Sequence, residues 1–193
     1  FEIVNKNFFS KICENQHYHH QGYAVKIKPF EKANLKENIE NINDVLILND
    51  INDQRNIGSI IRNCLAFNIK DVVVPSKFYK ANSMGLYITA AGSMEKINIY
   101  DVTNISNSIR LLKENGFWIV GFDQSSNDTI ENFSFNKKNA LILGSEGFGI
   151  RPLVKSQCDH ILKITISNEL ESLNVSNASA VILYELAKKN RPN

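Results

Sequence analysis

From Asp44 onward, short apolar blocks alternate with stretches in which apolar residues recur every three or four positions, a pattern that predicts strands and helices in turn. VLILND, from Val45 to Asp50, reads as a buried strand. In the next stretch Ile57, Ile60, Ile61, Cys64 and Leu65 fall at the spacing of an amphipathic helix. DVVVP gives a second strand, Asn82 to Ala91 a helix, INIYDV from Ile97 an extended segment, and SNSIRLLKEN a helix stopped by Gly116. FWIVGFD and NALILG are apolar along their length, as strands covered on both faces must be. Ile150 to Gln157 predicts a short helix, HILKI a last strand, and Val175 to Lys189 a last helix with Ala178, Val181, Ile182 and Leu186 on one face. The order predicts an α/β fold with a mostly parallel sheet flanked by helices.

The residues before Asp44 differ in kind. They are polar, rich in Lys and Asn and weakly periodic, with one strand-like stretch from Tyr23 to Ile27, and EKANLKENIENIN reads as a linker or marginal helix. This shift predicts a boundary between 1–43, an appendage, and 44–193, the main domain. At 193 residues, 43% hydrophobic and 22% charged, the chain has the size and composition of one globular domain with an appendage. No apolar run approaches the ~20 residues of a membrane span, so no membrane is expected. A formal net charge of +2 permits an anionic partner without requiring one. Cys13, Cys64 and Cys158 are odd in number and far apart, which predicts reduced thiols and a cytoplasmic setting; no charged-then-apolar leader is visible, and the opening on Phe1 instead of Met suggests further residues upstream.

In open parallel sheets ligands sit beyond the carboxyl ends of strands, and three polar blocks lie there. In the first, Asn56 is expected to cap the helix, Gly58 permits close approach of another backbone, and Arg62 stands on a helix whose apolar stripe is complete without it. Such an arginine is as often solvated as it is a phosphate contact; its rigid fork of donors suits the latter. In the second, the glycines from Gly144 run G-x-x-G-x-G, neither the dinucleotide fingerprint nor a P-loop, and imply a tight turn with Glu146 inside it. In the third, Ser172, Asn174, Ser176, Asn177 and Ser179 exceed what one helix cap needs, and serve either as an elaborate cap or as a ligand-facing set.

Other candidates carry less. Cys13, His17, His19 and His20 lack paired zinc spacing, so no metal is predicted. His160 and the serines form no hydrolase triad, and Lys77, Phe78, Tyr79 and Lys80 make a basic, aromatic loop.

In this order and spacing, N-I-G-S-I-I-R (Asn56 to Arg62), L-I-L-G-S-E-G-F-G-I-R (Leu141 to Arg151) and S-L-N-V-S-N-A-S-A (Ser172 to Ala180) resemble the three signature motifs of the SpoU group of the SPOUT RNA methyltransferases. His20 to Gly22 is similar to the end of an amino-terminal RNA-binding domain in the 23S rRNA guanosine 2'-O-methyltransferase branch, so 1–43 is expected to be the tail of such a domain. The resemblance implies a trefoil knot, which general folding rules would not suggest, a homodimer, and S-adenosylmethionine as cofactor. It implies that Gly144, Ile164 and Leu173, with Leu143 and Ser176, hold the cofactor. Asn56, Arg62, Glu146, Ser172 and Asn174 match the polar active-site positions. The implied reaction is methylation of a ribose 2'-hydroxyl of RNA, in 23S rRNA before tRNA. A non-catalytic RNA-binding protein that keeps the fold is the alternative from another class, and a NAD- or ATP-dependent enzyme is weakened by the missing phosphate motifs.

Overall fold

The computed structural model describes residues 3, 4, 7–9, 23, 33–145 and 147–188. The expected strand at 23–27 (Tyr23 apart), the Cys13–His20 cluster, the His20–Gly22 string, Glu146 and Lys189 lie outside the described residues. The chain divides into two compact units, Phe1–Glu31 and Lys32–Asn193.

Among its described residues the second unit holds six parallel strands: β1 (Asp44–Leu48), β2 (Asp71–Pro75), β3 (Asn98–Val102), β4 (Trp118–Phe122), β5 (Asn139–Leu143) and β6 (His160–Leu162). Their order across the sheet is β3-β2-β1-β5-β4-β6. β1 and β5 are central and buried at every position, which is why their sequences are continuous apolar runs. Among the described residues six helices flank the sheet: α1 (Leu35–Asn38), α2 (Gln54–Ala66), α3 (Met84–Ala90), α4 (Ile105–Glu114), α5 (Pro152–Lys155) and α6 (Val175–Lys188).

Alternating strand residues divide the core into two layers. Leu46, Leu48, Val72, Val74 and Leu141 face α2, α3 and α6 through Ile57, Ile60, Ile61, Leu86, Ile182 and Leu183. Val45, Ile47, Val73, Ala140 and Ile142 face α1, α4 and α5 through Leu35, Ile109, Leu112 and Val154.

Three expectations are corrected here. The boundary at Asp44 moves: of the two readings of EKANLKENIENIN the helix holds, with Asn34 capping α1 and Leu35, Ile39 and Ile42 buried in the core, so the compact unit opens ahead of Asp44. Asn56 does not cap α2. Asp53 does, its Oδ1 accepting from Arg55 N at 2.8 Å, because the helix starts three positions before the apolar stripe makes it visible. Val181 is exposed, and α6 buries the expected Ile182 and Leu186 together with Val175, Ser179 and Leu183. Gly116 does stop α4, in the left-handed region at φ +82°.

Beyond β6 the chain runs alongside residues 128–131, with Ile130 N donating to Lys163 O and Lys163 N to Asp128 O, and then returns across the sheet to pack α6 on α2. No described helix is long and apolar enough to cross a membrane.

Candidate active site

All three polar blocks stand at the carboxyl ends of the strands, around two adjoining cavities. The first, about 350 Å³, lies within the size range of small-molecule sites. Its walls are the end of β5 (Leu143, Gly144), Asp123 after β4, Ile164 after β6, and Ser172 and Leu173 before α6. The second, about 760 Å³, is lined by residues 50–53, Asn56, Phe78 and Arg151. Ser145, Phe148, Gly149 and Val175 line both.

The loop after β5 is a closed turn. Ser145 N donates to Gly149 O and Gly149 N to Ser145 O, both at 3.0 Å. A Cβ on Gly144 would lie 2.2 Å from the Gly149 carbonyl carbon, so backbone itself forms this wall. Buried Asn49 holds the base of the turn: its N–H donates to Leu143 O at 2.8 Å and its Oδ1 accepts from Arg151 N at 3.0 Å. The Arg151 guanidinium meets the Asp50 carboxylate.

In the third block the surplus of short polar side chains splits between two uses. Asn174 Oδ1 accepts from Ser176 N at 2.9 Å and Ser176 Oγ at 2.6 Å, which is a helix cap. Its Nδ2 donates to Asn56 Oδ1 at 3.2 Å and so joins the first block to the third. Ser179 is buried, and Asn63 Nδ2 donates both to its hydroxyl and to Ser176 O, pinning α6 to α2. Ser172 faces the first cavity.

Gly144, Leu143, Ile164, Ser172 and Leu173 thus surround one cavity, and Asn56 and Asn174 meet beside it. Ser176 touches the site through Asn174 and lines neither cavity. Arg62 is not brought into either cavity. It is exposed on α2, and six residues of helix carry it about 9 Å along the axis and about 120° away from Asn56. Gly58 serves the helix pair, not a ligand: a Cβ there would lie 2.3 Å from Leu86 O of α3.

The sequence reading missed Asp123, Lys163, Phe148, Asp50 and Arg151. Asp123 and Asp50 close FWIVGFD and VLILND, so the rule of looking just past each strand could have found them. Burial pushes the Asp123 carboxyl up, but hydrogen bonds from Lys155 Nζ at 2.8 Å and from Ser125 outweigh it and leave it below the ordinary range. It is therefore anionic at neutral pH. Burial pushes the Cys64 thiol far up and, with Asp159 adding to it, the Cys158 thiol up to about 11, so neither supplies a thiolate nucleophile. Among the described residues no cluster of His, Cys, Asp and Glu could hold a metal ion.

Residues 43–184 match the SpoU rRNA methylase family. A Bacillus subtilis protein assigned to the TrmH family of tRNA/rRNA methyltransferases is 34% identical over 183 residues, covering 90% of this chain and 72% of its own. An uncharacterized tRNA/rRNA methyltransferase of Borreliella burgdorferi is 32% identical over 198 residues, covering 96% of this chain and 86% of its own. The S-adenosylmethionine-bound structure of an rRNA methyltransferase from Sinorhizobium meliloti superposes with a TM-score of 0.80 at 19% identity, over 98% of this chain and 72% of that one, and so shares the fold. With its three blocks assembled at one end of an all-parallel sheet, the chain belongs to the SpoU rRNA methylase family, the SpoU/TrmH group of S-adenosylmethionine-dependent RNA methyltransferases with the SPOUT fold.

Proposed function

We propose that the chain methylates a ribose 2'-hydroxyl of RNA, at a guanosine of 23S rRNA, as a homodimer. The observation that carries this reading is the Asn174–Asn56 hydrogen bond, which joins two of the three blocks beside two adjoining cavities, one of cofactor size and one open to an acceptor.

The first cavity fits S-adenosylmethionine: glycine backbone that tolerates no Cβ offers amides and carbonyls to a polar purine, and Leu143, Ile164 and Leu173 offer apolar contact. When bound, the cofactor supplies an electrophilic methyl group on sulfur with a neutral thioether as leaving group. Gly144, Leu143, Ile164 and Leu173 hold it, and Ser176 acts indirectly by fixing Asn174. Asn56 and Asn174 orient the acceptor ribose, and Ser172 supports the turn ahead of α6.

Arg62 binds the RNA phosphate and stabilises negative charge developing on the ribose oxygen. A guanidinium is not deprotonated in proteins, so the proton leaves to phosphate or water. The helical wheel puts Arg62 with Arg55, Ser59 and Ala66 on the strip of α2 between Gly58, which packs on α3, and Asn63, which bonds α6. Ile88 of α3 is 55% exposed, and Tyr184 and Val181 of α6 are 42% and 37% exposed. Exposed apolar side chains on the two helices that pack against α2 suit a subunit contact through which Arg62 completes the partner's site.

The amino-terminal string that resembles an rRNA-enzyme appendage favours rRNA over tRNA. The deciding experiment is transfer of labelled methyl to total RNA, followed by mapping of the mark. A 2'-O-methylguanosine in 23S rRNA is expected; a mark in tRNA moves the chain to the tRNA branch, and a mark on a base overturns ribose chemistry. Light scattering at micromolar concentration is expected to give a dimer; a monomer would remove Arg62 from its proposed position.

A further inference from the structure

We propose that the second cavity is a stacking slot for the base of the acceptor nucleotide, with Phe148 and Phe78 as its aromatic walls. This rests on the RNA-methylation reading and extends it to how the acceptor is held. Phe148 is 95% exposed, almost as open as a side chain can be, yet it borders both cavities. Gly147 and Gly149 flank it at φ +85° and +62°, so the turn that shapes the first cavity also presents this ring to the second. Phe78 lines the second cavity from the loop after β2. Its position is set by α2: Gln54 Nε2 donates to Phe78 O at 2.7 Å, and Gln54 Oε1 accepts from Lys80 N at 2.9 Å.

The charges around the slot are net negative inside and positive outside. Lys77 and Lys80 are exposed on the Phe78 loop, and Lys77 Nζ lies 5.3 Å from the Phe78 ring centroid. Asp50, Asp53 and Arg151 line the cavity itself, and the Arg151 guanidinium is spent on the Asp50 carboxylate, which leaves the lining net negative. A phosphate is repelled by carboxylates inside and attracted by lysines outside, whereas a base has a flat π-face for the phenyl rings and edge N–H donors for the carboxylates. A nucleotide therefore enters base first, with its backbone toward the lysines. Because the slot shares a wall with the cofactor cavity, the ribose is held between the two.

The test uses the full chain and two probes. Phe148→Ala is expected to raise KM for bulk RNA about tenfold or more while the Kd for S-adenosylmethionine changes less than about twofold; Phe78→Ala acts in the same direction, and Phe148→Tyr recovers most of the loss. In Phe148→Trp, emission of the new indole is expected to be quenched by a mixed-sequence single-stranded oligoribonucleotide. An unchanged KM in Phe148→Ala, a parallel loss of cofactor affinity, or unquenched emission at saturating oligonucleotide each overturns the slot. Quenching requires no methyl transfer, so quenching without any methylation would leave the slot standing and remove the proposed reaction instead.

Discussion

At the amino end of the sheet, Asn139 is fully buried and its amide nitrogen donates to Asp44 Oδ1 at 2.7 Å and to Asn136 O at 2.9 Å. At the carboxyl end, Asn174 and Asn56 share a 3.2 Å hydrogen bond at an exposed position between cavities. Both ends carry Asn, Asp and Ser, and both are hollowed: a depression of about 680 Å³ lined by Asn41, Asp44, Lys70 and Asp71 lies at the amino end. Volume does not separate them. The amino end spends its polar side chains on one another, as Tyr100 and Asn98 also do on Asp71 Oδ1, and thereby closes the sheet. The carboxyl end also pairs its polar side chains, as Asn174 with Asn56 and Arg151 with Asp50, but sets them around two cavities, one of them walled by glycine backbone. Changes at the carboxyl end should therefore remove function and spare stability, and changes at the amino end the reverse.

The largest effect is expected for Arg62→Ala. Its side chain is exposed and contributes little to folding, so the melting temperature should stay within a degree or two, while kcat/KM on RNA falls about 10²–10³-fold and cofactor affinity holds. If Arg62→Lys keeps near-normal turnover, charge alone suffices and the forked phosphate contact is not the essential feature. Next comes Gly144→Ala. The added methyl carbon has no room against Gly149, so the turn must open by about an ångström. Cofactor affinity by calorimetry should fall about 10²-fold, with RNA binding less affected. Retained cofactor affinity would mean that the first cavity is not the cofactor site.

Asn139→Ala inverts this outcome. It removes the donor that reaches Asp44 and the acceptor that receives Asn136 N, in a fully buried place. A loss of about 1–3 kcal/mol in denaturant unfolding is expected, with activity per folded molecule unchanged. A variant that loses activity but not stability would show that the two ends are not independent.

The parallel sheet and its two-faced burial were legible in the apolar runs because a strand covered on both sides has few ways to be polar. The cap of α2 was not, because Asp53, Gln54, Arg55 and Asn56 are all polar and periodicity begins only at Ile57. The helical turn at Leu35 was legible only as one of two alternatives: three buried residues, Leu35, Ile39 and Ile42, are spread among polar neighbours in a segment that composition leaves as linker or marginal helix. For the site, the three motifs identified which residues converge, since Asn56, Gly144 and Asn174 bear the spacing. Phe148 stood inside a quoted motif unnoticed, because an aromatic in a loop has no sequence sign of whether it is buried or bare. The face that presents Arg62 depended on α3 and α6 packing either side of α2, which no local pattern encodes.

The smallest expected effect comes from two carboxylates held by lysines, one at each end. Burial pushes Asp159 up, but Lys113 Nζ at 2.6 Å and Ile119 N at 2.8 Å outweigh it and hold it below the ordinary aspartate value of 3.8; Asp123 is held low by Lys155 and Ser125. A depressed folded-state value means that the unfolded chain takes up the proton first as pH falls. The stability contributed by each group is thus complete above the ordinary value and drains away as pH falls through the lower, folded one. Asp159 has a side chain 36% exposed and its partner 38%, so its share should not exceed about 1 kcal/mol and should shrink in salt. Asp159→Asn should flatten the acid limb of the stability curve below about pH 4 without altering cofactor affinity at neutral pH. Asp123→Asn should flatten it too, but should also weaken the cofactor at neutral pH, because Asp123 borders the first cavity. Equal effects of the two substitutions on cofactor affinity would break the contrast between the ends at its most exposed ion pairs.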